Sequence, residues 1–277
     1  MTAVPLPTAP FPTGADERPR RSAFGWAVAD TKTIAWRNLL TITRLPQLLV
    51  FSLVQPIIFV LMFRYVFGGA IKIQSGSYVN YLMPGVFAQT VAFGAIQTGI
   101  GLAEDLNKGL IERFRSLPMA RSAVLAGRTL ADLVRNVFIM ILMVGIGYLV
   151  GFRVETGFFG LLAGMAVMLI FGFSLTWIFA IIGLSVGNAE TAQAASFPIL
   201  APLVFASSAF VVVSTMPGWL QGFAKYQPLS IAIDASRSLM LGGIYSNTGK
   251  VIASLLWSAG IVAVFAPLAV RKYRRAA

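Results

Sequence analysis

Cysteine and histidine are both absent from the 277 residues, and only 12% of the residues are charged. The absence of thiols and imidazoles excludes disulfides, thiol nucleophiles, imidazole bases and the common zinc ligand sets. A phosphate-binding loop is lacking as well, because the nearest match, 243–250, is one residue too long and is followed by Val251 instead of Ser or Thr. The sequence therefore predicts a chain that binds no cofactor, does not hydrolyse ATP by itself and is not an enzyme.

Apolar residues are abundant: they make up 57% of the chain and give a mean hydropathy of +0.79. A soluble domain is about half apolar and a quarter charged, and a soluble protein with a very large core is the alternative. Here the apolar residues form long runs, and a helix needs about 20 such residues to cross a bilayer. We therefore expect an all-α polytopic membrane protein with six transmembrane helices. The predicted spans are about 45–67, 81–103, 133–152, 158–186, 194–213 and 251–270.

The net charge of +12 comes largely from basic residues that flank the apolar runs. This placement indicates orientation in a membrane and not a nucleic-acid partner, because cytoplasmic loops carry an excess of Lys and Arg. The basic residues concentrate before the first span, between the second and third spans, and after the sixth. With six spans these three segments share one side. Both termini are therefore predicted to be cytoplasmic, in a multi-pass protein of the cell membrane.

The N-terminal residues are rich in proline and contain no apolar run. This composition predicts a disordered cytoplasmic tail at 1–23 and no cleavable signal. The remainder, 24–277, is predicted to form one transmembrane domain.

Residues 24–44 have the periodicity of an amphipathic helix that precedes the first span. Trp26 and Trp36 favour a position in the membrane interface, while Arg37 and Arg44 lie on the polar face. An ordinary cytosolic helix is the alternative. The apolar face consists of Phe24, Val28, Ala35, Leu39 and Ile42.

Two connections also have helical features. In 104–121, Glu104 and Lys108 are four residues apart and can pair on a helix surface, which predicts a short charged helix in the cytosol. In 214–247, Pro217 and Pro228 suit the first turns of two short helices. These helices are poorly suited to span, so we expect re-entrant helices that dip into the outer leaflet before the last span.

Ionisable groups are almost absent from the middle of the predicted spans. Asp132 and Arg135 are expected near a cytoplasmic end, and Arg128, Asp132 and Arg135 are spaced to pair locally on one helix. Coupling to protons or sodium commonly uses ionisable groups deep within spans. An energy source in a partner subunit therefore fits this chain better, with the charged cytoplasmic connection as its contact.

Four stretches together resemble the type-2 permeases of ABC exporters, specifically the daunorubicin-resistance-type membrane subunits. The resemblance extends from about Trp36 to Arg271, and one departure is Gln227, where the family commonly has Asn. The stretches are 55–69, 81–85, 106–121, and 216–220 followed by 227–229 and 234–237.

The resemblance implies two permease halves, as a homodimer or heterodimer in the membrane lipid, and two cytosolic ATPase subunits that bind ATP and magnesium. It also implies that the interface helix and the charged connection contact the ATPases, whereas a merely solvated loop is the alternative. The contact residues implied are Glu104, Asp105, Lys108, Gly109, Glu112, Arg113, Pro118 and Arg121. The outer segment of the family corresponds here to Pro217, Trp219, Pro228, Asp234 and Arg237.

Pro56 lies inside the first predicted span, where it removes a backbone hydrogen bond and is expected to kink the helix. Gln55 beside it is polar and is a candidate for the transport pathway or a helix interface, with simple packing as the alternative. Glycines such as Gly99 and Gly183 are expected to allow close helix packing.

The function that the resemblance implies is export of amphipathic compounds, such as antibiotics or lipids. Export of polysaccharide or lipid-linked glycan is the first alternative. A membrane-bound prenyl-group transferase is a distant one, because that chemistry needs clustered Asp residues and those of this chain are isolated in sequence. A passive channel is disfavoured because the sequence has no filter motif.

Overall fold

The computed structural model of the chain describes residues 29–36, 46–71, 73, 76–110 and 121–276. All of the regular structure in these residues is helical. A helical segment, 29–36, comes first and is followed by eight α-helices. They are α1 Pro46–Leu61, α2 Tyr78–Asn107, α3 Arg121–Val150, α4 Gly157–Val186, α5 Ala189–Phe205, α6 Gly218–Tyr226, α7 Pro228–Met240 and α8 Thr248–Ala276.

Four helices in the described part of the chain are long and apolar enough to cross a bilayer. A shorter apolar helical stretch, Ser52–Phe67, combines most of α1 with the π-helical turn Met62–Phe67 that continues it. The prediction of an all-α polytopic membrane protein is therefore confirmed. The four long helices are Tyr78–Asn107, Leu125–Val150, Gly157–Val186 and Thr248–Arg275.

Two predicted spans differ in extent from the helices found there. The third was placed at 133–152, but α3 begins at Arg121, because polar side chains in its first half are paired with α2 and do not interrupt the helix. The fifth was placed at 194–213, but α5 ends at Phe205. The carbonyl groups that follow α5 accept hydrogen bonds from side chains instead of continuing the helix.

Helix α2 lies at the centre of the bundle. In its most apolar stretch 78% of the residues are buried, compared with 17% for α8. It packs directly on α4, where a Cβ added to Gly183 would lie 2.0 Å from the Gly99 carbonyl oxygen. The predicted role of these two glycines in close packing is confirmed, because no side chain fits between the two backbones.

Aromatic rings attach α1 to this centre. The rings of Phe63 and Phe210 are stacked, with centroids 4.4 Å apart and planes inclined by 10°. Phe59 also packs near Phe210, with a centroid separation of 5.8 Å. These contacts link the π-helical end of the first helix to the segment that follows α5.

The segment 29–36 packs across the end of the bundle at which α2 ends and α3 begins. Ile34 and Ala35 are buried, whereas Trp36 is 64% exposed. Ala35 belongs to the apolar face predicted from periodicity, but the contribution of Ile34 was missed. Residues 24–28 and 37–44 of the predicted interface helix lie outside the described residues, as does the tail 1–23. Ile34 belongs to a buried cluster with Leu102, Leu125, Trp177, Ala180, Leu184, Ala269 and Tyr273.

Candidate functional site

Charged side chains form two clusters near opposite ends of α2. Because an α-helix rises about 1.5 Å per residue, Tyr81 and Thr98 are separated by roughly 25 Å along this helix. The first cluster, the α2–α3 seam, consists of Thr98, Asp105, Arg128, Asp132 and Arg135. The second, the Arg237 cluster, consists of Tyr81, Ser208, Asp234 and Arg237.

The α2–α3 seam is a set of interhelical bonds. Asp132 is only 6% exposed, and its Oδ2 accepts a hydrogen bond from Thr98 Oγ1 at 2.6 Å. Its Oδ1 accepts from Arg135 Nη1 at 3.2 Å, while Arg135 Nη2 donates to the Gly94 carbonyl at 3.1 Å. About two turns farther along α2, Asp105 forms an ion pair with Arg128. Two sets of charged contacts thus join the helices.

Glycines on α2 make room for these side chains. A Cβ at Gly101 would overlap the guanidinium of Arg128, and one at Gly94 would lie 2.4 Å from Asn136 Oδ1. Residues 94, 98, 101 and 105 recur every three or four positions, so they share one face of α2. The same spacing relates the charged residues of α3. This matched periodicity is the signal from which the seam could have been predicted.

Arg237 binds main-chain atoms of two different segments. It is 2% exposed, and its Nε donates to the Tyr81 carbonyl at 3.0 Å. Its Nη2 donates to the carbonyls of Ser208 and Ala209 at 2.5 and 3.2 Å. Its Nη1 pairs with Asp234 Oδ1 at 3.2 Å. The guanidinium carbon also lies 3.6 Å from the centroid of the Tyr81 ring, which adds a cation–π contact.

The segment 206–212, which follows α5, is held by side chains from neighbouring helices. The Tyr78 hydroxyl donates to the Phe210 carbonyl at 2.8 Å, and the Tyr81 hydroxyl donates to the Ser208 carbonyl at 3.1 Å. Gln227 Nε2 donates to the Ala206 carbonyl at 2.5 Å. At the end of a helix the last carbonyl groups have no main-chain donor, and these side chains supply donors instead. Irregular backbone can therefore be accommodated here inside the protein.

A cavity of about 380 Å³ adjoins the Arg237 cluster. Asp234, Lys250 and Tyr245 contribute to its wall, and Lys250 Nζ lies 3.5 Å from Asp234 Oδ2. Burial raises the pKa of the Tyr245 phenol above its ordinary value, so the hydroxyl keeps its proton well into the alkaline range. The cavity therefore presents both signs of charge and a phenol.

A model of the ABC-2 type transporter family matches residues 29–241, a range that contains both clusters. The chain belongs to the ABC-2 type transporter family. It is accordingly the membrane permease subunit of a multi-pass transporter of the cell membrane, and ATP hydrolysis belongs to a separate ATPase subunit.

Individual relatives cover most of the permease. It is 41% identical over 261 residues to the daunorubicin resistance ABC transporter permease protein DrrB1 of Streptomyces coeruleorubidus, covering 94% of this chain and 90% of the relative. It is 30% identical over 227 residues to a Mycobacterium tuberculosis permease named for doxorubicin resistance, DrrC, covering 81% of each chain. The doxorubicin resistance permease DrrB of the same species is 27% identical over 214 residues, covering 73% of this chain and 71% of the relative.

The residues predicted to contact the ATPase fall into two groups in the structure, one exposed and one paired within the permease. Glu104 and Lys108 are exposed and paired with each other at 3.3 Å, as their spacing predicted. They lie at the end of α2 rather than on a separate helix, and Gly109 follows in a turn with φ of +63°. Asp105, by contrast, forms an ion pair with Arg128 of α3 inside the permease. Arg121 is the first residue of α3, and Glu112, Arg113 and Pro118 lie outside the described residues, as do Trp26, Arg37 and Arg44.

The predicted outer-segment residues fall in and around two short helices, which confirms that 214–247 contains two such helices. Pro217 directly precedes α6, where Trp219 is 82% exposed, and Pro228 is the first residue of α7. Asp234 and Arg237 lie together on α7 in the Arg237 cluster. Their partners Tyr81 and Ser208 were missed, because nothing in the sequence shows which distant segments α7 contacts.

The candidate pathway residues lie side by side on α1 with different exposure. Gln55 is exposed and Pro56 is buried, and both are within the helix Pro46–Leu61. The polar side chain of Gln55 therefore lies on the surface of this permease chain, in a helix that is otherwise largely apolar.

Proposed function

We propose that this permease is half of the membrane part of an ATP-driven exporter that moves amphipathic compounds of the daunorubicin and doxorubicin class out of the cell. The observation that carries the proposal is the 41% identity over nearly the whole length of a permease named for daunorubicin resistance. From identity of this extent we expect the same architecture and a related cargo.

The proposal includes six spans with both termini cytoplasmic. Helix α1 and its π-helical continuation, Met62–Phe67, run unbroken from Pro46, which supports a first span of about 30 Å. Helix α5 has 17 residues and reaches only about 26 Å. The segment 206–212, bound by Arg237, would complete the fifth crossing inside the protein. Helices α6 and α7 then form the outer re-entrant pair.

Reporter fusions test this topology. A fusion after Lys108 should report the cytoplasm, and fusions after Gln74 and Asn247 should report the outside. A cytoplasmic signal after Asn247 would rule out the six-span arrangement, whatever the cargo.

The cytoplasmic contact with the ATPase is proposed to include Glu112 and Arg113. The exposed Glu104–Lys108 pair at the end of α2 supports a solvent-facing surface just before them. A desolvated charge-assisted hydrogen bond contributes about 1.5–3 kcal/mol, so Glu112→Ala or Arg113→Ala should weaken ATPase association roughly tenfold or more. The measurement is pull-down of the ATPase at equal membrane abundance. If association and transport both stay normal, these residues form only a solvated surface.

Gln55 is proposed to face the second permease half or the pathway between the halves. Its exposure among apolar neighbours such as Val54 and Ile58 supports this, because a polar side chain facing lipid would be costly. Gln55→Leu should then change transport while leaving membrane abundance unchanged, and unchanged transport would count against this placement.

Transport itself is tested in inside-out vesicles that contain the permease with its ATPase. ATP-dependent uptake of doxorubicin, followed by its own fluorescence, is the expected result. The permease purified alone should hydrolyse no ATP. Uptake of a lipid-linked glycan without any uptake of doxorubicin would favour the alternative cargo class.

A further inference from the structure

The α2–α3 seam has no role in the function proposed above, although burying its charged side chains is unfavourable in free energy. Asp132 is nearly buried, and Arg128, Arg135 and Asp105 are each about four-fifths buried. Charged groups are seldom buried to this extent inside a protein unless they pair with one another. In the seam they bond across the two helices, which suggests that the relative position of α2 and α3 matters.

We propose that the charged residues of the seam are positioning residues that hold α2 and α3 together as one rigid hairpin. When the ATPase acts on the connection between these helices, the hairpin moves as a unit and carries the movement to the rest of the bundle. This inference rests on the proposed function, because it needs an ATPase that acts on the permease.

The seam restricts both sliding and rotation because it has two separate attachment points. Thr98 and Asp132 form the first, and Asp105 and Arg128 form the second, seven residues farther along α2. A single contact would let the helices rotate about it. Two contacts about 10 Å apart along the axis fix the register and the angle together.

The contacts of α2 with α4 are of a different kind. At the level of Thr98, α2 meets α4 through Gly99 and Gly183, and nearer the middle Gly172 packs on Val91. Moving α2 along this surface breaks no ion pair. Separating α2 from α3 would leave charges unpaired in a poorly solvated region, which is strongly unfavourable. Movement is therefore expected between the seam end of the hairpin and α4, and not within the hairpin, while the opposite end of α2 stays bound to Arg237.

The segment 29–36 packs against the same hairpin. Ile34 is 4% exposed and lies so close to α3 that a Cβ at Gly127 would be 2.7 Å from Ile34 Cβ. The N-terminal segment is thus fixed to α3 at the end where the seam lies. A displacement of this end would move the segment and both helices together.

A disulfide reporter tests the hairpin without any transport measurement. The permease has no cysteine, so an introduced pair gives one defined crosslink. A Cβ at position 94 would lie 3.1 Å from Asn136 Cγ, so Gly94→Cys with Asn136→Cys brings two sulfurs within bonding geometry. Oxidation by copper phenanthroline in membranes should form this crosslink rapidly.

Charge reversal is then added to the reporter. The reporter protein first carries Asp132→Ala, which removes the bond to Thr98 beside the introduced cysteines. In that background Asp105→Arg or Arg128→Asp alone should slow crosslinking by roughly tenfold, and the double exchange should restore the rate, because the pair is rebuilt with its charges swapped. Glu104→Arg, on the exposed neighbouring carboxylate, is the matched control and should leave the rate unchanged. Equal rates in all variants, or no restoration in the double variant, would overturn the proposal.

Transport separates this role from a direct contact between Asp105 and the ATPase. In vesicles containing the permease and its ATPase, each single reversal should lower ATP-dependent doxorubicin uptake while ATPase pull-down stays normal, and the double exchange should restore uptake. If Asp105 contacts the ATPase instead, Asp105→Arg should lose the pull-down and the double exchange should not recover it.

The crosslink also tests rigidity during turnover. Uptake by the oxidised permease that carries Gly94→Cys and Asn136→Cys should equal uptake by the same protein after reduction, because a rigid hairpin never opens. Uptake that is lost on oxidation and regained on reduction would overturn the proposal. A wild-type complex without ATP-dependent uptake would count against the proposed function alone, since the crosslinking rates would still decide whether the seam fixes the hairpin.

Discussion

The Arg237 cluster and the α2–α3 seam both use buried arginines, but they bind different kinds of atoms. Arg237 donates mainly to main-chain carbonyls, in the first turn of α2 and in the irregular segment 206–212. Arg128 and Arg135 pair with carboxylates of α2 and α3, whose main-chain bonds are already made, and Arg135 donates in addition to the Gly94 carbonyl. The Arg237 cluster therefore satisfies polar backbone that would otherwise lack partners, whereas the α2–α3 seam fixes how two complete helices lie together.

Loss of Arg237 should have the largest effect on stability. Arg237→Met leaves Asp234 and the carbonyls of Tyr81 and Ala209 without this partner, and breaking a buried charged contact typically costs about 3–5 kcal/mol. We expect a loss of that order in the free energy of unfolding, measured by SDS titration of the purified permease with tryptophan fluorescence. Arg237→Lys should recover only part of it, because an ammonium group cannot reproduce the planar set of donors.

Replacement in the seam should have an intermediate effect on the same quantity. Asp132→Asn weakens the bonds to Thr98 and Arg135, but Arg135 keeps the Gly94 carbonyl as an acceptor. A hydrogen bond to a charged group contributes about 1.5–3 kcal/mol, so a loss at the lower end of that range is expected. A loss as large as that of Arg237→Met would show that the two clusters do not differ as described.

A single neutral hydrogen bond to the segment 206–212 should matter less. Tyr78→Phe removes the donor to the Phe210 carbonyl and keeps the ring, so we expect a loss of about 0.5–1.5 kcal/mol in the free energy of unfolding. Tyr81→Phe is the matched comparison, because that hydroxyl approaches two carbonyls at 3.1 Å. No effect of either change would mean that these tyrosines do not hold the segment after α5.

The exposed pair at the end of α2 should contribute least. Glu104 and Lys108 have side chains that are 47% and 66% exposed, and such i, i+4 pairs contribute about 0.3–0.5 kcal/mol before screening by salt. Glu104→Ala should therefore change the free energy of unfolding by less than about 0.5 kcal/mol, with the difference vanishing in high salt. A larger, salt-independent loss would reveal a buried role for Glu104.

The sequence was sufficient for features that depend on local composition. Helix α4 was predicted as 158–186 and observed as Gly157–Val186, because its apolar run is continuous and Gly187 ends it with φ of +74°. The end of α5 was not predictable in this way. The run 194–213 contains no charged residue, and contacts with α2 and α7, which are distant in the chain, hold the backbone that follows the end of the helix at Phe205.

The charged clusters show the same contrast between local features, which the sequence predicts, and contacts between distant segments, which it does not. The pairing of Asp132 with Arg135 follows from their spacing and is confirmed at 3.2 Å, and Asp234 with Arg237 has the same spacing. Arg128 was expected to pair within α3, and it pairs with Asp105 of α2 instead. Pairing between helices depends on their crossing geometry, which a list of residues does not contain. The role of the seam became visible only after both helices had been placed.

The contact between Gly99 and Gly183 has a consequence for the electrical behaviour of the permease. Here α2 and α4 meet through main-chain atoms alone, so van der Waals contact sets their separation. On its other side, beside Gly99, α2 carries Thr98 against the carboxylate of Asp132. A membrane potential exerts force on charged groups and little on a glycine contact. At the level of Gly99, a change in voltage therefore acts on the charged contact of α2 with α3 and not on its contact with α4.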